Sequence, residues 1–436
     1  MDWLWRWSLI DGPIPWALTA LGLAGGLWLL FAGTADTRGY RRRAVPLCAA
    51  GALVLTGVGW VVVEKWWRPF PDPIETRIYA WIGLGVFAVL LLGVRLAADR
   101  RVRRGLVSAL AAVAVVAAAA AQVNLVFDAY PTVRDVLGLP DPSRIAFADV
   151  PPPTATTVTG SPLESAWHPP AELPAGGRVA TVAIPGTASG FAARDAVVYL
   201  PPAYFADPRP ELPVLVLLAG QPGSPQDWLG GGKLVSTMDA FAATHGGLAP
   251  VVVVADGTGS QFANPLCLDS ALGNVATYLA RDVPDWVVAN LQVDADPRAW
   301  AIGGLSYGGT CALQMATNHP ERYPTFLDLS GQEEPTLGDR TRTVDAAFGG
   351  DEARFVAVNP ADLMAGRRYP GSAGVFVVGK DDRDFKPGQQ KMYDAAGKAG
   401  MDVRYVELPG GHSFSVWSAG LEGELGWLAQ RLGLTA

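Results

Sequence analysis

The stretch Gly303-Gly304-Leu305-Ser306-Tyr307-Gly308-Gly309 decides how this chain is read. An apolar run, Ala299-Trp300-Ala301-Ile302, precedes it, and a run of helical character, Thr310 to Asn318, follows. A strand, a tight glycine turn, a serine and a helix make the layout of a nucleophile elbow. Glycines on both sides of Ser306 permit backbone angles that present its hydroxyl at the tip of the turn. Glycine is abundant, 50 of 436 residues, so G-x-S-x-G alone arises by chance roughly 0.2 times in such a chain. The weight therefore rests on what surrounds the motif.

Outward from the motif, near-continuous apolar runs alternate with helical stretches. The runs are Pro213 to Ala219, Pro250 to Ala255, Ala299 to Gly303, Thr325 to Leu329, Gly374 to Gly379 and Val403 to Leu408. Such runs are typical of strands buried on both faces of a sheet. Asn274 to Ala289 and Gln389 to Ala399 are the clearest helices between them, and Val179 to Ile184 with Asp195 to Leu200 reads as an opening antiparallel pair. The expected fold is α/β, a mostly parallel sheet with helices on both faces, over residues 178–436. Sites in such sheets form at the carboxyl ends of the strands.

The first 128 residues differ in kind. Half of the chain is hydrophobic and only 17% is charged, against about 25% in soluble domains. Four apolar runs, about 14–33, 44–63, 78–94 and 106–127, are each long enough to cross a hydrocarbon core of ~30 Å as a helix. The first has no basic leader and is followed by three more, which excludes a signal peptide. Arg38, Arg41, Arg42 and Arg43 lie between the first and second runs, and Arg95, Arg100, Arg101, Arg103 and Arg104 between the third and fourth. By the positive-inside rule these loops face the cytoplasm, so both ends of the unit and everything after it lie outside. Trp3, Trp5, Trp7, Trp16, Trp66 and Trp67 suit interfacial anchors. No ionisable residue falls inside the runs, which disfavours a transport pathway. Gly22 and Gly26 form a small-xxx-small pair suited to helix packing. Residues 129–177, with Pro151-Pro152-Pro153 and Pro169-Pro170, read as an extended linker.

Several function classes are excluded early. The net charge of −7 and the lack of a basic stripe argue against a nucleic-acid partner. His168, His245, His319 and His412 do not cluster, and the three cysteines form no CxxC pair, so neither a metal site nor a cofactor is expected.

An activated serine needs a base, and the base an orienting acid. In α/β-hydrolases the chain order is Ser, acid, His. After Ser306 only His319 and His412 remain. His319, in Asn318-His319-Pro320, suits a structural role at a helix end. His412, in Pro409-Gly410-Gly411-His412-Ser413-Phe414, follows the last strand, where the fold places its base. The acid falls in Lys380-Asp381-Asp382-Arg383-Asp384, and a spacing of three after Gly379 selects Asp382 over Asp384 and Asp381. The oxyanion hole needs two backbone N–H donors. Tyr307 supplies one and Gln221, in Ala219-Gly220-Gln221-Pro222-Gly223, the other.

Residues 178–434 resemble the esterase family of α/β-hydrolases that includes esterase D and the actinobacterial mycolyltransferases. The resemblance rests on Ala192-Ala193-Arg194 leading to Tyr199-Leu200-Pro201-Pro202, on Pro213 to Leu218, and on Leu305-Ser306-Tyr307-Gly308-Gly309 with His319-Pro320. It also rests on His412-Ser413-Phe414-Ser415-Val416-Trp417, which looks like the H-S-aromatic-x-x-W segment around the mycolyltransferase histidine. It implies ester chemistry through an acyl-enzyme, with water or a sugar hydroxyl as acceptor and lipid or acylated sugar as substrate. Two positions depart from the mycolyltransferases. Ala219 stands where they carry an acidic residue, and the acid is Asp rather than Glu. The four helices are a further difference. Trehalose is therefore disfavoured as acceptor, while a general esterase or acyltransferase stands.

Cys48 lies in a membrane run and suits a packed thiol. Cys267 and Cys311 are expected to pair, since an outside compartment permits a disulfide. Gln332 to Ser372 is a long insertion expected to cap the site. Glu333 and Glu334 at its start and Asp256 after its strand are polar candidates at the rim. The expected protein is a multi-pass plasma-membrane serine esterase or acyltransferase with an outward catalytic domain and membrane lipids around its helices. The competing expectation is a non-catalytic hydrolase-fold protein that binds envelope glycan or a partner.

Overall fold

The structure, a computed structural model, describes residues 2–32, 37–98 and 101–436. Gly33 of the first expected run and Arg100 of the third loop lie outside the described residues. Two compact units divide between Leu139 and Pro140.

The first unit holds four helices long and apolar enough to cross a membrane: α1 (Pro13–Phe31), α2 (Tyr40–Trp67), α3 (Thr76–Ala98) and α4 (Val102–Phe127). Helices α1 and α4 pack closely because glycine sits where they meet. A Cβ at Gly22 would overlap Ala118, and one at Gly25 would overlap the Ala111 carbonyl. A Cβ at Gly26, expected in this role, would stand 4.0 Å from Val115 and overlap nothing. The close pair is thus i, i+3, which lies on one helix face as well as i, i+4 does.

Helix α3 runs past the expected end at residue 94 and carries Arg95 into the bundle, 5% exposed. Arg95 is therefore not a loop charge. Its Nη1 donates to the Leu29 and Ala32 carbonyls at 3.0 and 3.2 Å, and its Nε donates to Ser108 Oγ at 3.1 Å. Those carbonyls end α1, where a helix has no partners of its own to offer, and a cation there also suits the helix dipole.

The second unit is built on an eight-stranded sheet. Its strands are β1 (Arg178–Val182), β2 (Ala196–Leu200), β3 (Val214–Leu218), β4 (Val251–Ala255), β5 (Trp300–Leu305), β6 (Thr325–Leu329), β7 (Ala373–Gly379) and β8 (Asp402–Leu408). The spatial order is β8-β7-β6-β5-β3-β4-β2-β1. β2 pairs antiparallel with both neighbours, and every other pairing is parallel. Strands β3 to β7 are buried on both faces, as their predominantly apolar runs require.

Helices cover both faces. α5 (Leu234–Thr244) lies on one; α6 (Val283–Asn290) and α7 (Tyr307–Asn318) lie on the other. The insertion after β6 folds into α8 (Arg340–Phe348), α9 (Glu352–Val356) and α10 (Pro360–Gly366). α11 (Lys386–Lys398) joins α7, while α12 (Phe414–Arg431) packs on the face of α5.

The Pro-rich stretch read as a linker makes contacts of its own from Pro140 onward. Ile145 donates to the Val179 carbonyl at 2.8 Å. Thr157–Val158 pairs in parallel with Arg209–Pro210. Trp167, 6% exposed, donates to the Gly246 carbonyl at 2.9 Å. Proline keeps the segment extended, and its spaced apolar residues dock it onto the domain.

Candidate active site

Ser306 sits between β5 and α7 with φ 54° and ψ −120°, a region costly for any residue with a Cβ. The turn tolerates it because its flanks are bare. A Cβ at Gly304 would overlap Gly308, and one at Gly308 would overlap the Leu218 carbonyl of β3. The Ser306 N–H donates to the Leu329 carbonyl at 2.8 Å, and the Ser306 carbonyl accepts from Gly309 and Thr310. The strained turn is thereby held from both sides.

Three side chains distant in sequence meet here. His412 Nε2 lies 2.8 Å from Ser306 Oγ, and His412 Nδ1 lies 2.9 Å from Asp382 Oδ2. Ser306 follows β5, Asp382 follows β7 and His412 follows β8, so all three stand at carboxyl ends of parallel strands. Asp382 is buried, and its Oδ1 accepts the Phe385 N–H at 3.1 Å. Each carboxylate oxygen thus has a donor. Asp381 and Asp384, the alternatives, are exposed. His319 is not part of this group; its Nδ1 lies 3.6 Å from Glu321 on the surface.

The loop after β3 passes directly against the serine. A Cβ at Gly220 would stand 3.5 Å from Ser306 Cβ. The next residue, Gln221, is fixed by its side chain, whose Nε2 donates to the Phe262 carbonyl at 2.9 Å. Gly223 donates to the Gln261 carbonyl at 3.2 Å. Tyr307 is the first residue of α7, so its N–H has no acceptor within the helix. Both expected oxyanion donors therefore belong to backbone that borders Ser306.

A second set of bonds ties the loop after β4 to the elbow helix. Cys267 and Cys311 form a disulfide across 44 residues. The Tyr307 hydroxyl donates to the Gly257 carbonyl at 3.1 Å and accepts from the Cys267 N–H at 3.0 Å. Burial pushes this phenol above its ordinary pKa. Gln314 adds a bond to the Leu266 carbonyl at 2.9 Å. Asp256, expected at the rim, is instead an anchor within the fold. It holds Arg194 at 2.8 Å and accepts from the Thr258 and Gly259 N–H groups. Burial opposes its charge, but Arg194 and the Thr258 N–H hold its carboxyl below the ordinary range.

The insertion is organised by one cation. Arg340 donates to Glu352 at 2.7 Å, Glu334 at 2.8 Å and Asp362 at 3.3 Å, and it lies over the Phe355 ring. Burial raises the pKa of Glu334, and Arg340 opposes the rise. Glu333 pairs with Lys391. Val344, Phe348 and Phe355 pack on Leu266 and Leu268, which joins the insertion to the loop that carries Cys267. Both glutamates are therefore engaged in ion pairs.

Sequence reasoning missed two features. Asp328 on β6 is fully buried beside the elbow; its Oδ1 accepts the Gly331 N–H at 2.7 Å, and its Oδ2 has no partner. Burial pushes its carboxyl up to about 7, against the bond from the Gly331 N–H. A charge inside the apolar run Thr325 to Leu329 was the available signal. Phe385 stacks on His412, and only the Asp-x-x-Phe spacing from Asp382 hinted at it.

Residues 192–428 match the family described as "Putative esterase". The chain belongs to this family. An uncharacterized protein of Corynebacterium glutamicum is 43% identical over 391 residues, which are 87% of this chain and 88% of that protein. An S-formylglutathione hydrolase of Paracoccus denitrificans is 26% identical over 159 residues, 36% of this chain and 56% of that protein. A solved ferulic acid esterase superposes with a TM-score of 0.51 at 18% identity, covering 59% of this chain and 98% of its own. That likeness concerns the fold. The second unit is an esterase-family hydrolase fold, and the first supplies four helices suited to a membrane.

Proposed function

We propose that the protein is a membrane-anchored serine esterase or acyltransferase that works through an acyl-Ser306 intermediate. The observation that carries this is the unbroken chain of contacts from Ser306 Oγ through His412 to Asp382. With its proton on Nδ1 and facing Asp382, His412 presents a lone pair at Nε2 to the Ser306 hydroxyl. As Oγ attacks an ester carbonyl, its proton passes to Nε2, and the imidazolium forms beside the Asp382 carboxylate. Oγ–C forms, the carbonyl π pair moves to oxygen, and the N–H groups of Gln221 and Tyr307 receive that charge. Collapse expels the alcohol, which takes the proton from Nε2. Water or another hydroxyl then repeats the sequence in reverse and frees Ser306. No step calls for a metal or a cofactor.

The substrates proposed are lipid esters or acylated glycans of the cell envelope, because the hydrolase unit is covalently joined to helices long enough to span a bilayer. The arginines at the ends of α2 and α4 favour a cytoplasmic side for loops one and three, and so an outward-facing hydrolase unit. The division proposed is a membrane part over 1–128, a Pro-rich connection over 129–177 and the catalytic domain over 178–436.

The test is hydrolysis of a short and a long nitrophenyl ester by the full chain in detergent, with and without Ser306→Ala. Activity lost with the hydroxyl supports the acyl-enzyme, and the chain-length preference identifies the acyl class. Equal turnover by Ser306→Ala refutes it. The competing function, a non-catalytic binder of envelope glycan or a partner, gains if the wild type turns over neither ester and is not labelled by a serine-directed fluorophosphonate.

A further inference from the structure

We infer that Phe385 is a positioning residue for His412, acting as one side of an aromatic clamp around the imidazole; this rests on His412 being the base. The ring of Phe385 lies 3.8 Å from that of His412, centroid to centroid, at an interplanar angle of 19°. The Trp417 indole meets the same imidazole edge-on, at 4.8 Å and 86°. Trp417 is 4% exposed and braced by Phe414 at 5.0 Å, so it forms the buried wall of the clamp. Phe385 is only half-buried.

The two hydrogen bonds of His412 fix its nitrogens but lie in the ring plane. They resist tilting about the Nδ1–Nε2 line weakly. A stacked ring on the face and an indole at right angles resist that tilt directly, since aromatic pairs favour parallel and T-shaped geometries. A π face also attracts the cation that His412 becomes when it takes the serine proton. The backbone of Phe385 donates to Asp382 Oδ1, so one residue bonds to the acid and stacks on the base. Its place three residues after Asp382, at the start of α11, brings this about: the turn that lets the carboxylate accept the Phe385 N–H carries the side chain over His412.

The test uses the full chain in detergent with Phe385→Leu and Phe385→Tyr. Leucine keeps an apolar side chain and removes the ring; tyrosine keeps the ring. Two rates are read. One is kcat and KM on a nitrophenyl ester. The other is labelling by a fluorophosphonate, in which Oγ–P forms, P–F breaks, fluoride leaves and the Oγ proton goes to Nε2. Leucine is expected to lower kcat and the labelling rate by roughly 2- to 12-fold, the range that a lost aromatic pair sets, with KM and Tm unchanged. Tyrosine is expected to restore both rates. If Phe385→Leu lowers Tm, Phe385→Met is judged on the same two rates. Equal rates in the ring-less and wild-type proteins, or equal losses for leucine and tyrosine, overturn the clamp alone. Labelling that persists in Ser306→Ala overturns the underlying mechanism and the clamp with it.

Discussion

Replacing Asp328 by Asn should remove a pH-dependent weakness from the centre of the domain. Asp328 is buried beside Gly309 and Gly331, with one oxygen satisfied and the other without a partner. Its carboxyl is pushed up from 3.8 to about 7 in the folded protein. At about 1.4 kcal/mol per pH unit, that rise corresponds to about 4 kcal/mol. The sign follows from proton binding. The folded state holds the proton more tightly than the unfolded chain, so the stabilisation is complete below about pH 4. It declines as pH rises and is lost by about pH 7, above which both states are ionised. Asparagine has nearly the same shape and no charge, so its stability should not share this decline. The assay is thermal unfolding of the full chain in detergent at half-unit steps from pH 4 to 8, followed by tryptophan fluorescence. The variant should match the wild type at pH 4 and exceed it increasingly up to pH 7, then run parallel. Curves parallel throughout, or a variant least stable at high pH, would refute the argument.

Other expectations are direct. Asp382→Asn should lower kcat by roughly 10³- to 10⁴-fold, with KM little changed, because it removes the charge beside the imidazolium; steady-state kinetics on a nitrophenyl ester measures it. Replacing both Cys267 and Cys311 by Ala should lower stability by about 4 kcal/mol, from the entropy of a loop closed over 44 residues. Denaturant unfolding reads the loss, and alkylation of the native wild type should label neither cysteine. Arg340→Met leaves Glu334, Glu352 and Asp362 without their shared cation. Limited proteolysis should then cut residues 332–372 faster than in the wild type, with cleavage elsewhere unchanged.

The sheet was legible because its strands are buried on both faces. Runs such as Val214–Leu218 and Val251–Ala255 leave no ambiguity of period once glycine and proline bound them. The elbow was legible for the same reason: its glycines answer to overlaps a Cβ would create, and those overlaps are local. His412 and Asp382 could be named from strand order, since a parallel sheet fixes which loops share an edge. What stayed hidden depends on side-chain direction. Phe385 reads as one apolar residue in a charged turn until the turn is folded. Arg340 reads as a surface charge until α9 and α10 bring Glu352 and Asp362 to it. Arg95 reads as a loop arginine because it interrupts the apolar run after Val94, and only the extra turn of α3 puts it among the α1 carbonyls.

The spacing of the site along the chain also sets when its three side chains can meet. Ser306 and its neighbour His412 are separated by 106 residues, and α12, which carries the Trp417 wall, follows His412 in the chain. A chain still under synthesis possesses the serine long before it possesses the imidazole. Truncation before residue 412 leaves a hydroxyl with no proton acceptor and a sheet with one face partly bare. The Ser306–His412 contact is thereby deferred until synthesis has passed residue 412, so a shorter growing chain carries the elbow without its partner imidazole.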